Sequence, residues 1–146
     1  MNTSRIHFGD YAMLALRLAI AFVFLYHGVE KAFNWGMATQ MFSSLGFPGF
    51  LGPITGIAEV IAGALFVLGL YPRWSSLAFV VIIAAAITGI HLPASFAAGS
   101  PTPGLERDLL IIGGALVIMA MGHGAIALGS RESTDSQVGE PRSTFE

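Results

Sequence analysis

The residues best suited to chemistry in this sequence cluster at the end of an apolar run. His27, Glu30 and Lys31 fall within the stretch "YHGVEKAF", directly behind "YAMLALRLAIAFVFLY", which contains one charge. A histidine titrates near neutral pH, and a lysine can hold a developing negative charge, so together they suit proton transfer to an anionic or polar ligand. The alternative interpretation is that they mark the point where a helix leaves an apolar medium for water.

The composition identifies that medium. Hydrophobic residues make up 54% of the 146 residues and charged residues 11%, whereas typical globular chains carry roughly 25% charged residues. The sequence therefore predicts an integral membrane protein in contact with the lipid bilayer. A net charge of −2 without a basic stripe argues against nucleic acid as a partner. The chain has no cysteine, which excludes disulfides, thiolate metal sites and thiol redox chemistry within it.

Four apolar stretches are long enough to cross a bilayer core as helices, which takes about 20 residues each. Turn signals bound them, and the predicted spans are 11–33, 53–70, 74–92 and 105–128. The predicted fold class is all-α, an integral membrane four-helix bundle formed by one domain over residues 11–129. Residues 1–10 are predicted to form an N-terminal cytoplasmic tail, and the polar residues 130–146 a disordered cytoplasmic tail.

The Lys and Arg residues outside the spans favour one orientation. The side that carries both termini also carries Arg5, Arg73, Arg131 and Arg142, and the loops of the opposite side have no Lys or Arg of their own. Because short cytoplasmic loops are rich in Lys and Arg, both termini are predicted to be cytoplasmic. The protein would be a multi-pass protein of a bacterial plasma (inner) membrane, with loops 34–52 and 93–104 facing outward.

Further ionisable residues are expected at the same depth in the membrane as the cluster around His27 and Lys31. At about 1.5 Å per residue, His27, Lys31, Glu59 and His91 all lie toward the outward ends of their helices. The triplet 106–108 ("ERD") opens the fourth span at the same face. Ionisable groups inside a span are costly and usually face the interior in pairs. We therefore predict one outward-facing polar pocket, with His27, Lys31, Glu59 and His91 as its catalytic residues if the protein is an enzyme.

Helical rotation favours a buried position for Glu59. Three small residues share its face of the second span: Gly52, Gly56 and Gly63. Small residues let membrane helices approach closely, so this face is predicted to pack against another helix rather than lipid. A buried carboxylate there would be neutral or would pair with a cation at similar depth, for which Lys31 and His27 are the candidates.

Two other regions carry predictions of their own. Toward the opposite leaflet, Arg17 would snorkel, bond a backbone carbonyl, or meet His123 in a polar plug, and a structural role is favoured. In the 34–52 loop, apolar residues recur at helical spacing: Met37, Met41, Phe42 and Leu45. This spacing predicts a short amphipathic helix at the membrane surface, which would either cover the polar cluster or only seal the end of the bundle.

Several stretches occur in a recognisable order between about Leu14 and Leu128. They are "LRLAIAFVFLYHGVEKAF", "FSSLGFPG", "AEVIAGALFVLGLYPRWSSL" and the histidine of "GIHLP". In order and spacing they resemble the DoxX family of small four-helix bacterial membrane proteins. That family takes its name from subunits of a thiosulfate:quinone oxidoreductase, so the resemblance implies a subunit or partner of a membrane-associated, quinone-linked redox system. The motif residues it carries over are Arg17, His27, Gly28, Lys31, Glu59 and His91, of which Arg17 and Gly28 are assigned to cofactor binding.

Three functions stay open at this point. In a quinone-linked oxidoreductase subunit, the cluster would exchange protons with quinone, and a membrane or periplasmic redox partner protein would hold the electron-transfer centre, since no cofactor is predicted within the chain itself. In a non-enzymatic membrane scaffold or assembly protein, the cluster would be a polar network that fixes helix register. The third function is binding or transport of a small solute. A homo-oligomer is a further partner to expect, and no metal site is predicted, although His27 and Glu30 have the spacing of ligands on adjacent helix turns.

Overall fold

The computed structural model describes residues 6–128, and every regular element in that range is helical. In chain order the helices are α1 (Phe8–Phe33), α2 (Trp35–Ser44), α3 (Leu51–Leu68), α4 (Pro72–Ala86), α5 (Leu92–Ala98) and α6 (Pro103–Met121). A π-helical turn, Ile87–His91, joins α4 directly to α5. The all-α class predicted from the sequence is confirmed for this part of the chain.

The turn between α3 and α4 shows how local sequence sets the helix ends. Gly69 ends α3 with a φ of 70°, a left-handed conformation that glycine adopts without a Cβ penalty. Pro72 then begins α4, where a missing N–H costs nothing because the first turn has no intrahelical acceptor for it. A connection as short as residues 69–71 makes α3 and α4 antiparallel neighbours.

The most extensive helix contact joins α1 and α3, and glycines line it. A Cβ added at Gly28 would lie 2.8 Å from the Cβ of Glu59, and a Cβ added at Gly56 would lie 2.6 Å from the Cβ of Lys31. Neither distance is compatible with a real side chain, so the two backbones meet where no side chain intervenes. The predicted packed face of α3 is confirmed, since its members Gly52, Gly56, Glu59 and Gly63 are all buried.

Aromatic rings fill the centre of the molecule. Phe24 of α1 stacks on Phe79 of α4 with ring centroids 3.7 Å apart, and Phe66 of α3 meets Phe79 edge-on at 5.0 Å. Aliphatic side chains surround them, including Ile20, Ile83, Ile111 and Ile118. The core thus draws on α1, α3, α4 and α6, and it lies between the two ends at which the polar residues gather.

Three helical segments are long and apolar enough to cross a membrane: Phe8–Phe33, Leu51–Leu68 and Pro72–Ala98. The fourth long helix, α6, carries Glu106, Arg107 and Asp108 near its start and is otherwise apolar. The predicted amphipathic helix of the 34–52 loop is present as α2.

The C-terminal ends predicted for the third and fourth membrane spans differ from the helix ends in the structure. The third span does not stop at Leu92 before Pro93 but continues to Ala98. The π turn ends at His91, two residues before Pro93, so the helix widens close to the proline, which can donate no hydrogen bond, and it then continues. The fourth helix ends at Met121 rather than Leu128, because Gly122 leaves helical geometry with φ 84° and ψ −162°.

The predicted tails are only partly within the described residues. Residues 8–10, assigned to the N-terminal tail, form the first turn of α1, where Asp10 Oδ2 accepts a hydrogen bond of 2.8 Å from the His7 backbone N–H. Residues 1–5 and the predicted tail 130–146 lie outside the described part.

Candidate functional site

A cavity of about 590 Å³ opens among the helices at the end where α1 finishes and α3 begins, here called the cavity end. Its wall draws on α1, α2, α3, α4, the π turn and α6, and most of the lining is aliphatic or aromatic. Seven ionisable residues also line it: His27, Glu30, Lys31, Glu59, His91, Arg107 and Asp108. All four residues predicted to be catalytic therefore share one cavity.

The first ion pair of the cavity joins α1 to α3. Lys31 Nζ donates a hydrogen bond of 2.6 Å to Glu59 Oε1, and the side chains are 14% and 4% exposed respectively. The glycine contact positions this pair, because Gly28 and Gly56 remove the side chains that would hold the two helices apart. Glu59 Oε2 is buried and accepts no hydrogen bond within residues 6–128. A buried acceptor without a donor is costly, and a ligand's hydroxyl or N–H could satisfy it.

The second pair, which is an ion pair when His91 is protonated, joins the π turn to α6. His91 Nε2 lies 3.3 Å from Asp108 Oδ2, and the Asp108 side chain is fully buried. Arg107 donates to the other carboxylate oxygen, with Nε at 3.1 Å and Nη2 at 2.9 Å from Oδ1. The 3.3 Å approach of His91 lacks hydrogen-bond geometry, so Asp108 Oδ2 has no hydrogen-bond donor in the described part of the chain. Each carboxylate of the cavity thus has one oxygen without a donor.

Asp108 is the site residue that the sequence interpretation did not select. It was placed only as one of three charges opening the fourth span, two of which prove exposed. Helical spacing was the signal available, because Ile111, Ala115 and Ile118 follow Asp108 on one face and all are buried. Asp108 thus lies on the packed face of α6, as Glu59 lies on the packed face of α3.

Local structure on both sides of His91 fixes its position. Ser95 Oγ donates to the His91 carbonyl at 2.7 Å and lies 3.1 Å from Thr102 Oγ1, which ties α5 to the start of α6. The ring itself packs against Gly104, where an added Cβ would overlap it. The π turn that contains His91 is a helix irregularity of a kind often found at functional sites.

His27 lies one helical turn before Lys31 on the cavity wall. Its ring is partly buried and meets the Tyr26 ring edge-on, with centroids 5.4 Å apart. The charges within electrostatic range of it include Arg107, Lys31, Glu30 and Asp108. His27 therefore belongs to the same polar group as both ion pairs.

Helix α2 covers the cavity from one side. Met37, Met41, Phe42 and Leu45, whose spacing predicted the helix, all line the cavity wall. Of the two arrangements expected for this helix, the structure has the one in which it covers the polar cluster.

Arg17 lies apart from the cavity, at the opposite end of the molecule. Its guanidinium is held by four backbone carbonyl oxygens: those of Phe66 (3.0 Å), Val67 (2.8 Å), His123 (2.6 Å) and Ile126 (2.9 Å). It meets His123 through that residue's backbone and not through its ring. The donors of Arg17 are directed at carbonyl groups away from the cavity, and Gly28 lies in the contact between α1 and α3. The cofactor-binding roles expected for these two residues stay predictions.

The described residues contain no group of three or more His, Asp or Glu side chains arranged to hold a metal ion. The cavity wall can form hydrogen bonds with a ligand. The N–H groups of Lys31 and His91 can donate them, and the oxygens of Glu59 and Asp108 that lack a donor can accept them. Such a wall can bind a small ring with carbonyl or hydroxyl groups, and its histidines and carboxylates can exchange protons with it.

The helical fold, its three helices long and apolar enough to cross a membrane and a largely apolar cavity with ionisable residues in its wall define a multi-pass membrane protein with a site large enough for a small organic ligand. Comparison with known families gives a more particular result. The family model for DoxX matches residues 12–92, which is more than half of the chain. The chain belongs to the DoxX family. No curated protein and no solved structure matches it.

Proposed function

We propose that this DoxX-family membrane protein is a subunit or partner of a membrane-associated redox system linked to quinone, and that its cavity holds the quinone head group. One observation carries the proposal: an apolar cavity of about 590 Å³ has two separate ion pairs, Lys31–Glu59 and His91–Asp108, in its wall. Cavities of roughly 300–1,000 Å³ with a few placed polar groups are typical of small-molecule sites.

The charges of the wall favour a neutral ligand. Lys31 is paired with Glu59, and Arg107 with Asp108, so the Lys and Arg charges of the wall are each matched by a carboxylate. A quinone is neutral and offers carbonyl acceptors to the N–H groups of Lys31 and His91. The corresponding quinol offers hydroxyl donors to the free oxygens of Glu59 and Asp108. Both redox forms of one ring therefore find hydrogen-bond partners, and the electrons would pass to or from a redox centre of a partner protein.

The proposal includes a topology. Helix α6 crosses the membrane as a fourth span, and its charged start lies at the outward surface together with the rest of the cavity end. Both termini are then cytoplasmic, in a bacterial plasma membrane. The exposed position of Arg73, at the Arg17 end of the molecule, supports this orientation because Lys and Arg accumulate on the cytoplasmic side.

The substitution Glu59→Gln tests the site, with Glu106→Gln as the matched control. Glu106 is an exposed carboxylate that does not line the cavity. The glutamine removes the ion pair with Lys31 and one acceptor for a quinol hydroxyl, so we expect quinol affinity to fall about tenfold or more, as for the loss of a charged hydrogen bond. Calorimetric titration of the protein in lipid nanodiscs with a reduced para-benzoquinone measures this affinity.

The competing function is that of a membrane scaffold. The specific observation in its favour is that the Lys31–Glu59 pair links α1 to α3 without any ligand. If Glu59→Gln lowers abundance and thermal stability while wild type and variant titrate no quinone in either redox form, the scaffold is the correct function and the quinone proposal fails.

A further inference from the structure

The cavity has two chemically different ends. In the two ion pairs, Lys31 and Asp108 lie near helix ends and His91 ends the π turn, whereas the lining residues nearer the middle of α1 and α4 are apolar: Val23, Phe24, Val81, Ile82 and Ile83. Phe24 at this apolar end is stacked on the buried ring of Phe79. A ligand that fills the cavity is therefore polar at one end and apolar at the other.

The apolar end reaches the surface of the molecule at the middle of a membrane-crossing helix. Val81 lines the cavity and is nevertheless 60% exposed, and Ala85, one turn further on, is a second exposed lining residue. Both lie near the centre of the segment Pro72–Ala98, which is 27 residues long. The surroundings of a helix at that depth are lipid hydrocarbon. Val81 and Ala85 thus form the edge of a lateral opening toward the bilayer, here called the Val81 window.

The opposite side of the cavity is covered by a helix that is held in place. An added Cβ at Gly52 would overlap the backbone of Ala38, and one at Gly49 would lie 2.7 Å from Thr39 Cγ2. Helix α2 therefore packs against the start of α3 without space between them. This apposition makes α2 a fixed cover, and the Val81 window is an opening at membrane depth through which a membrane-soluble molecule can reach the polar end.

We infer that the ligand is a tailed, lipid-soluble quinone whose head lies against the two ion pairs and whose aliphatic chain leaves the cavity through the Val81 window. The inference rests on the proposed function and adds the class of quinone that the site selects. Along the helix, Val81 is about 15 Å from His91, a distance greater than the width of one quinone ring. A ring alone leaves the apolar end unfilled, whereas an attached chain buries its methylene groups there and is stabilised by that burial.

Two probes with the same head separate the tail from the ring: a para-benzoquinone carrying a methyl group and the same ring carrying a decyl chain. The test variant is Val81→Trp, which narrows the window with a bulky side chain on the lipid-facing surface. The matched control is Leu110→Trp, because Leu110 is a highly exposed apolar residue of α6 that does not line the cavity. For each probe the quantity compared is the ratio of wild-type to variant affinity, in which the partitioning of the probe into lipid cancels.

We expect Val81→Trp to weaken binding of the decyl probe by roughly tenfold, the loss expected when about two methylene groups leave an apolar wall. Binding of the methyl probe should be unchanged, and Leu110→Trp should change neither. A second variant, Ala85→Leu, narrows the same window with a smaller group, should show the same selectivity, and serves if the tryptophan variant fails to fold.

The remaining outcomes overturn the inference in distinguishable ways. Equal losses for both probes would mean that the window variants act on the head site and not on a tail. Unchanged affinity for both probes, with clear binding by the wild type, would dismiss the tail route and leave the proposed quinone site standing. If the wild type binds neither probe, the proposed function fails and the inference fails with it.

Discussion

Arg17 is 1% exposed, and its guanidinium is held by backbone carbonyl groups. Phe66 and Val67 belong to the last turn of α3, where the carbonyl oxygens lack the usual donor four residues on and carry partial negative charge. His123 and Ile126 belong to the segment after α6, which has left helical geometry. One side chain thus satisfies acceptors from two parts of the chain, and a planar group with five N–H donors suits that task.

Replacement of Arg17 by methionine should therefore destabilise the protein without removing the cavity. Four carbonyl groups lose a charged donor, so we expect a loss on the order of 3 kcal/mol in the free energy of unfolding. The matched control is Arg73→Met, because Arg73 is an exposed arginine at the same end of the molecule. Unfolding of the purified protein in detergent gives the comparison, and equal stability of the two variants would contradict the clamp role of Arg17.

The contact between α1 and α3 determines whether the first ion pair can form. Gly28 and Gly56 face each other's helices with no room for a side chain, and the Lys31–Glu59 pair lies beside them. In lipid, helix association depends on close van der Waals packing and interhelical hydrogen bonds rather than on exclusion of water. The glycines allow the close van der Waals packing, and the Lys31–Glu59 pair supplies the interhelical hydrogen bond. The helix contact and this part of the candidate site therefore form one structural unit.

Gly56→Leu should break that unit. The new side chain would meet the backbone of Lys31 and Ala32, which cannot move aside without separating α1 from α3. We expect a loss of at least about 1–3 kcal/mol from overpacking, together with loss of quinone binding. Gly113→Leu is the matched control, because an added Cβ at Gly113 meets nothing within 4 Å in the described part of the chain. Retention of full stability and binding by Gly56→Leu would contradict the proposed role of the contact.

The sequence predicts which face of a helix is packed when small residues and a single charged residue lie on the same face. That pattern placed Glu59 on the packed side of α3 and identified Lys31 as a candidate partner, as the structure has it. In the triplet at the start of α6 three charges are adjacent, and only the rotation of the helix decides that Asp108 is the buried one. The extension past Pro93 was not predictable locally, because proline ordinarily ends a helix and only the neighbouring π turn permits it to continue.

The cavity lies between two pairs of helices, and each pair contributes one ion pair to it. Lys31 and Glu59 join α1 to α3, while His91 and Asp108 join the π turn to α6. Each ion pair thus stays within its own helix pair, so neither has to break for the two halves to separate. The space between the halves can therefore hold a ligand without loss of the contacts that position its polar groups.

The proposed topology can be tested with single cysteines, because the chain has none of its own. Ser100 lies in the exposed connection between α5 and α6, Arg73 begins the span that precedes it, and Leu128 follows α6. If α6 crosses the membrane and the cavity end faces outward, a membrane-impermeant maleimide should label Ser100→Cys in intact cells. Arg73→Cys and Leu128→Cys should be labelled only after the membrane is opened. Labelling of both Ser100→Cys and Leu128→Cys in intact cells would show that α6 does not cross. Labelling of Arg73→Cys and Leu128→Cys without Ser100→Cys would reverse the orientation.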